Sequence, residues 1–230
     1  MIPALILYLI RRMKYGTDTS LDLSKFREMV LKIKSILFFF IISTSFAYNT
    51  INTGETITYK IVKKNTTIGF IKIEKQVTSN VTTYILKSNV EVNFLVNVSV
   101  LCDEKSIYKN DILVYSSVYR KVNGKVKANH KLLRESGRYA LLYENKKKLL
   151  ELDELTQNLV TLYFEEPKTI RKVYCDNLKQ EIVITPLNEG CYRVDFEKGK
   201  YNVFHYRNGE CVKIDAVSKL FNVTLIPVSS

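Results

Sequence analysis

The sequence predicts an all-β protein: an antiparallel meander of about a dozen strands, with one short helix, curled into a β-roll or incomplete barrel. Three observations predict it. Apolar and polar residues alternate with period two through most of the chain from Glu55 onward. Turn pairs such as Ser79-Asn80, Asn110-Asp111, Asn123-Gly124 and Asn208-Gly209 punctuate that alternation. Only one stretch, around residues 152–163, departs from period two.

The N-terminus comes first, because it bounds the folded part. Lys32 and Lys34 form a short basic region, Ile36 to Ile42 is unbroken apolar sequence, and Ser45 and Ala47 are the small residues of an exit site. This pattern over residues 29–47 is that of a secretory signal, too short to span a membrane as a helix. A buried core helix would not carry three consecutive Phe followed by a small-x-small exit. Cleavage is expected between Ala47 and Tyr48, placing the mature chain outside the cytoplasm, periplasmic or secreted, with no transmembrane segment. Residues 1–28 are expected to be an upstream stretch preceding the true initiator Met29, or else an extended leader; neither enters fold reasoning.

Residues 48–230 are then expected to form a single all-β domain, long enough to bury a sizeable core. Taking the seven basic and three acidic residues of 1–47 from the 35 and 23 of the whole chain leaves 28 and 20, a surplus of eight positive charges. Those cations are scattered along alternating strands, which argues against nucleic acid and is compatible with an anionic envelope surface. The four cysteines include no Cys-x-x-Cys, so the local spacing of a zinc ribbon or thioredoxin-type site is missing. The four Asn-x-Ser/Thr sequons, at Asn65, Asn80, Asn97 and Asn222, stand close to the roughly two or three that chance supplies and carry no weight.

Along the domain, Ile57, Tyr59 and Ile61 alternate with Thr58 and Lys60, and Ile71 and Ile73 follow a loop at Lys64–Thr67. A long alternation then runs from Tyr84 through Leu86, Val90, Val92, Phe94, Val96, Val98 and Val100 to Cys102. As one strand it would span roughly 65 Å, more than the roughly 40 Å diameter of a domain this size. It must therefore turn, at Asn93–Asn97. Leu152, Leu155, Leu159, Leu162 and Tyr163 recur at steps of three and four; with Asp153 as cap and Pro167 beyond the end, this predicts an amphipathic helix of about three turns.

The C-terminal strands can be registered by taking Lys198-Gly199 and Asn208-Gly209 as two-residue loops. One face then collects Tyr192, Val194, Phe196, Tyr201, Val203, His205, Val212, Ile214 and Ala216. The other collects Cys191, Arg193, Asp195, Asn202, Phe204, Tyr206, Cys211, Lys213 and Asp215. Cys191 and Cys211 both fall opposite Tyr206, one strand to either side and about 10 Å apart, beyond disulfide reach. Cys102 should be buried, a bond from Cys175 stays open, and four free thiols are the plain expectation.

Two stretches carry a family resemblance: Leu162-Tyr163-Phe164-Glu165-Glu166-Pro167-Lys168, and Tyr201-Asn202-Val203-Phe204-His205-Tyr206-Arg207-Asn208-Gly209. With Ile68-Gly69 after a first strand, they resemble a family of exported bacterial β-proteins catalogued only as a domain of unknown function. The resemblance runs from Glu55 to Pro227. It implies an exported β-roll or incomplete barrel and brings no catalytic residues.

Candidate chemistry is sparse. There are two histidines. The Asn123-Gly124 hairpin sets His130 against Ser117, on a face with Leu113, Tyr115, Tyr119, Ala128 and Leu132. His205 falls on the apolar face beside Tyr192. Both are expected to point inward, as core histidines or as a polar spot in a ligand cavity, which makes His130, His205, Tyr115, Tyr119 and Tyr192 the candidate ligand-binding residues. With no Asp or Cys on those faces, a nucleophile triad has little support. Glu165-Glu166 reads as a charged helix end, since adjacent carboxylates rarely converge on one substrate. There is no Gly-rich phosphate loop and no His-Glu-x-x-His. No cofactor and no metal are expected. The leading expectation is a non-enzymatic domain that binds an apolar or amphipathic, lipid-like ligand within its curled sheet. The alternative is a structural or partner-binding envelope protein with a solid core.

Overall fold

A computed structural model describes residues 52–93, 97–144, 146–218 and 222–228. The expected leader, the Ala47–Tyr48 cleavage site and positions Phe94 and Val96 of the long alternation lie outside these residues. Fourteen strands form one antiparallel sheet. The first eight are β1 (Asn52–Lys63), β2 (Thr66–Thr78), β3 (Val81–Asn93), β4 (Asn97–Lys109), β5 (Ile112–Val122), β6 (Lys125–Glu135), β7 (Arg138–Tyr143) and β8 (Lys146–Leu150). The last six are β9 (Lys172–Cys175), β10 (Gln180–Asn188), β11 (Cys191–Asp195), β12 (Tyr201–Arg207), β13 (Glu210–Val217) and β14 (Val223–Pro227).

Chain neighbours are sheet neighbours with one exception. The order is β8-β7-β6-β5-β4-β3-β2-β1-β14-β13-β12-β11-β10-β9. Two meanders are thus joined through the first and last strands, with Tyr59 opposite Pro227 and Ile61 opposite Leu225. The outer edges, β8 and β9, are consecutive in the chain, and residues 151–171 run between them. The sheet does not close into a barrel.

The hairpins follow from residues that tolerate left-handed backbone. Lys64-Asn65, Asn110-Asp111, Asn123-Gly124, Ser136-Gly137 and Asn208-Gly209 are pairs in which both φ angles are positive, as type I′ turns require. The long alternation does turn where expected, with Asn93 opposite Asn97. Ile68-Gly69 also gains a reason. The β1–β2 register shifts beside it, and a Cβ at Gly69 would lie 2.3 Å from the Asn89 carbonyl oxygen; only glycine permits that approach.

The expected helix over 152–163 is absent. Residues 151–160 form no helix, and a single 3-10 turn, Thr161–Tyr163, is all that forms. The backbone groups of this segment bond to strands instead of to each other. The Leu113 N–H donates to the Leu155 carbonyl, the Leu159 N–H to Tyr174, and the Tyr174 N–H to Gln157. The apolar spacing that suggested a helix is met by burial: Leu155, Val160 and Leu162 lie in the core, with Tyr59, Leu113, Tyr139, Tyr174 and Phe204 in the same cluster. Tyr163 stacks edge-on against Tyr59 of β1 and Phe204 of β12, and Phe164 packs on Tyr84 of β3. A flat sheet of this strand number would be roughly 60 Å wide. One short segment can reach β1, β3, β5, β7, β9 and β12 only because the sheet curls around it.

Two hairpin faces also differ from expectation, each through a one-residue slip. Between β11 and β12 the connection contains a 3-10 turn, Glu197–Gly199, so Tyr192 opposes Phe204 and Cys191 opposes His205. Between β12 and β13, Tyr206 opposes Cys211 as expected, and then a bulge at His205/Tyr206 sets Phe204 against Ile214. The slips cancel for β11 and for β13 beyond the bulge and reverse β12, while Cys211, expected on the polar face, lies before the bulge and is buried in the core. The inner face of β12 is Phe204 and Tyr206, not Tyr201, Val203 and His205. Burying two aromatic rings, with the Tyr206 hydroxyl donating to the Leu162 carbonyl, outweighs burying Tyr201 and Val203. Similarly, a bulge at Arg120/Lys121 sets His130 opposite Val118, not Ser117. Tyr115 and Tyr119 therefore belong to the outer face.

Candidate functional site

The inner face carries one polar knot. Ser106 and Tyr108 of β4 and Ser116 of β5 face inward, where Asn158 and Asp176 meet them. The Ser116 hydroxyl donates to one Asp176 carboxylate oxygen, and the Asn158 amide donates to the other at 3.2 Å and to Ser106 Oγ at 2.7 Å. Tyr108 donates to Asn158 Oδ1 at 2.9 Å, and His130 Nε2–H donates to the Asp176 carbonyl at 2.9 Å. Asp176 is only 7% exposed. Burial pushes its carboxyl up to about 7, and Glu104 adds to this against the hydrogen bonds from Ser116 and Asn158. Burial likewise holds His130 below the usual imidazole value, with the cations Lys179 and Arg120 adding to the effect. The polar atoms of this knot bond one another, and they fasten the 151–171 segment and the end of β9 to β4 and β5. The arrangement is a fastening.

Residues 162–168, which carry the family resemblance, make a second fastening. Glu165 accepts from Lys75 Nζ at 2.9 Å and from the Tyr84 hydroxyl at 3.4 Å, on β2 and β3. Glu166 accepts from the Tyr192 hydroxyl at 2.9 Å, on β11. The adjacent carboxylates diverge and tie the two meanders to the same strap. A depression of about 640 Å³ lies on the Glu166 side, lined by Tyr192, Tyr206, Arg207 and the Glu189-Gly190 turn. Another of about 340 Å³ lies on the Glu165 side, lined by Lys75, Tyr84, Tyr108 and Thr161.

The outer face carries an amphipathic stripe. One cross-strand row reads Ile226, Lys60, Phe70, Asn89, Leu101, Lys121, Val126 across β14, β1, β2, β3, β4, β5 and β6. Phe70, Leu101 and Val126 are 53%, 49% and 51% exposed. The next row places Lys72, Lys87, Asp103 and Tyr119 side by side. A groove of about 430 Å³ runs between Phe70, Leu101 and Tyr119, flanked by Lys72 and Lys87. Lys121 Nζ sits 5.5 Å from the Tyr119 ring centre.

The five sequence-predicted binding residues do not converge. His130 is buried beside Asp176, and Tyr192 is buried with its hydroxyl on Glu166. Tyr115 is half-buried on the outer side, and Tyr119 is exposed there. His205 is on the outer face, not the inner one. It stands between Cys191, whose Sγ is 3.3 Å from His205 Nδ1, and Asp215, whose Oδ2 is 2.9 Å from His205 Nε2. The expectation that no Asp or Cys accompanies either histidine is thus overturned, because the reversal of β12 brings both to His205. All four cysteines are free, with Cys102, Cys175 and Cys211 buried and Cys191 half-exposed.

Fold and site together define an all-β domain with an open sheet of fourteen antiparallel strands wrapped around one of its own segments. The chain belongs to the family described as Domain of unknown function (DUF6134), whose profile matches residues 59–228. Among solved structures it is similar to the β-barrel-like protein of domain of unknown function DUF1849 from Brucella abortus. That likeness has 10% identity and a TM-score of 0.49, and covers 78% of this chain and 98% of that one. Among curated proteins none is similar enough in sequence to count as a relative.

Proposed function

We propose that this protein is an exported, non-enzymatic domain that docks onto an anionic, lipid-like surface of the cell envelope through its outer amphipathic stripe. The observation that carries this is the row from Ile226 to Val126, in which half-buried Ile226 and exposed Phe70, Leu101 and Val126 alternate with Lys60, Asn89 and Lys121. A surface that presents apolar chains beneath anionic headgroups complements that pattern. Each lysine near such a surface contributes about 1 kcal/mol, weakened by salt. The inner face argues against a ligand held inside the curl, because Leu155, Val160 and Leu162 already fill it. The amphipathic partner class expected from the sequence therefore fits the outer groove. A solid-core protein that binds a protein partner through the same stripe is the second reading.

Vesicle co-sedimentation tests this. The protein should bind vesicles containing phosphatidylglycerol, release at high salt, and ignore pure phosphatidylcholine. Leu101→Glu should abolish binding while leaving thermal stability nearly unchanged, since Leu101 is half-exposed. No binding to either vesicle would discard the lipid reading in favour of a protein partner. Export has its own test: N-terminal sequencing of protein recovered outside the cytoplasm should begin at Tyr48, and recovery with residues 1–28 attached would overturn both cleavage and the Met29 start.

A further inference from the structure

We infer that Cys191, with His205 as its base and Asp215 as positioning residue, is a reactive thiol that forms mixed disulfides with small disulfides. The three side chains come from adjacent strands β11, β12 and β13. The β11–β12 register puts Cys191 directly opposite His205, and the β12–β13 bulge brings Asp215 within reach of the same ring. Gly190 holds Cys191 in place: its φ is +69° and its carbonyl accepts from the Tyr206 N–H at 2.6 Å. A Cβ at position 190 would lie 2.6 Å from the Tyr206 oxygen, so no other residue permits this approach.

The hydrogen bonds fix the tautomer. Asp215 accepts from Lys213 Nζ at 2.9 Å and from Thr224 Oγ1 at 3.0 Å. Burial works to raise its carboxyl, but the hydrogen bonds from Lys213, Thr224 and His205 outweigh it and hold the carboxyl below the usual range. It is therefore ionised, and His205 Nε2 carries the hydrogen it donates to Asp215. Nδ1 presents its lone pair to the Cys191 thiol, which is the order nucleophile, base, orienter. Cys191 and His205 are both partly exposed, whereas the other three thiols are buried and burial pushes Cys102 up to about 12 and Cys175 and Cys211 up to about 11.

The surroundings choose the electrophile. The site lies on the outer face of an open sheet, and acyl transfer would in addition require a pair of N–H groups aimed at a developing oxyanion. Attack on a disulfide develops no oxyanion; it needs a proton taken from the attacking thiol and one given to the leaving sulfur. As Sγ bonds to one sulfur of the incoming disulfide, its proton passes to His205 Nδ1, the old S–S bond breaks, and the departing thiolate takes that proton from His205. Cys191 is oxidised to the mixed disulfide and one small thiol is released. Lys213, directly opposite His205 in the ladder, is paired with Asp215, and Arg193, two residues along β11, is paired with Asp195, so neither cation is left over to select the charge of the incoming disulfide. Cys211 faces the core from β13, so no second thiol stands by to resolve the product, and the adduct persists.

The full chain treated at neutral pH with 5,5′-dithiobis(2-nitrobenzoate), an anionic disulfide, provides the test. One thiol should react fast, peptide mapping should place the adduct on Cys191, and its rate should exceed that of free glutathione by about tenfold. His205→Ala should remove about that factor, and imidazole in the buffer should restore part of it. Asp215→Ala should slow the reaction severalfold, with Asp215→Glu recovering most of the loss. A Cys191 that reacts no faster than glutathione would overturn the inference even if every variant failed to fold. So would a His205→Ala protein that reacts as fast as the parent, or one whose loss imidazole does not touch.

Discussion

Replacing Leu162 by Ala should lower the stability of the domain by about 2–5 kcal/mol and its melting temperature by roughly 5–20 °C. Leu162 is fully buried in the segment around which the sheet curls, its carbonyl accepts from Tyr206, and its neighbours Thr161 and Tyr163 bond and stack within the same core. Truncation to Ala removes the apolar contacts and leaves a cavity that fourteen hydrogen-bonded strands cannot readily collapse to fill. The measurement separates two descriptions of residues 151–171. If the segment were a lid over a ligand space, Leu162→Ala would change stability by less than about 1 kcal/mol, as surface changes do. A loss in the stated range marks the segment as core, and with it the argument for placing any partner on the outer face.

Asp176→Asn should stabilise the protein at pH 8 by about 1–4 kcal/mol and make almost no difference at pH 4. The carboxyl stands at about 7 in the folded state and about 3.9 in the unfolded chain. Above both values it is ionised in each state, and the folded state bears the cost of a buried charge. Below both it is protonated in each and the cost disappears. The native state therefore loses stability as pH rises from about 4 to about 7, by on the order of 4 kcal/mol, and no further above that. Asn keeps the shape and can donate to Ser116 Oγ while accepting from Asn158, so the knot survives without the charge. Urea unfolding of both proteins across this range reads the effect, because the other titrating groups cancel in the difference. A stability difference that stays constant with pH would show that Asp176 does not titrate as described.

How much of this was legible beforehand differs by type of feature. Turns were readable because left-handed backbone is open to few residues: Asn123-Gly124 and Asn208-Gly209 were placed correctly, and the long alternation had to break near Asn93 on length alone. Bulges were not readable. A bulge adds one residue to one strand without altering composition or spacing, yet it exchanges the faces of the strand beyond it. The bulges at Arg120/Lys121 and His205/Tyr206, with the 3-10 turn before β12, account for the misplaced Tyr115, Tyr119 and His205. They also hid the meeting of Cys191, His205 and Asp215. One signal could have warned of it: Phe204 and Tyr206 share a parity, and leaving both rings in water to bury Val203 and Tyr201 is the poorer bargain. The 152–163 segment failed for another reason. Leucines at steps of three and four suit a helix, but they equally suit an irregular strand whose side chains must satisfy walls on several sides.

The placement of β14 between β1 and β13 bears on how the chain is assembled in time. The last of these fourteen strands to be synthesised is the one that joins the two meanders. Until Val223–Pro227 arrives, β1 and β13 are both bare margins, and the molecule has four unpaired strand edges where the finished sheet has two. Each bare edge can template pairing with another copy. The nascent chain is thus most sticky just before β14 is made, and the five residues of that strand act as the zip that ends the hazard.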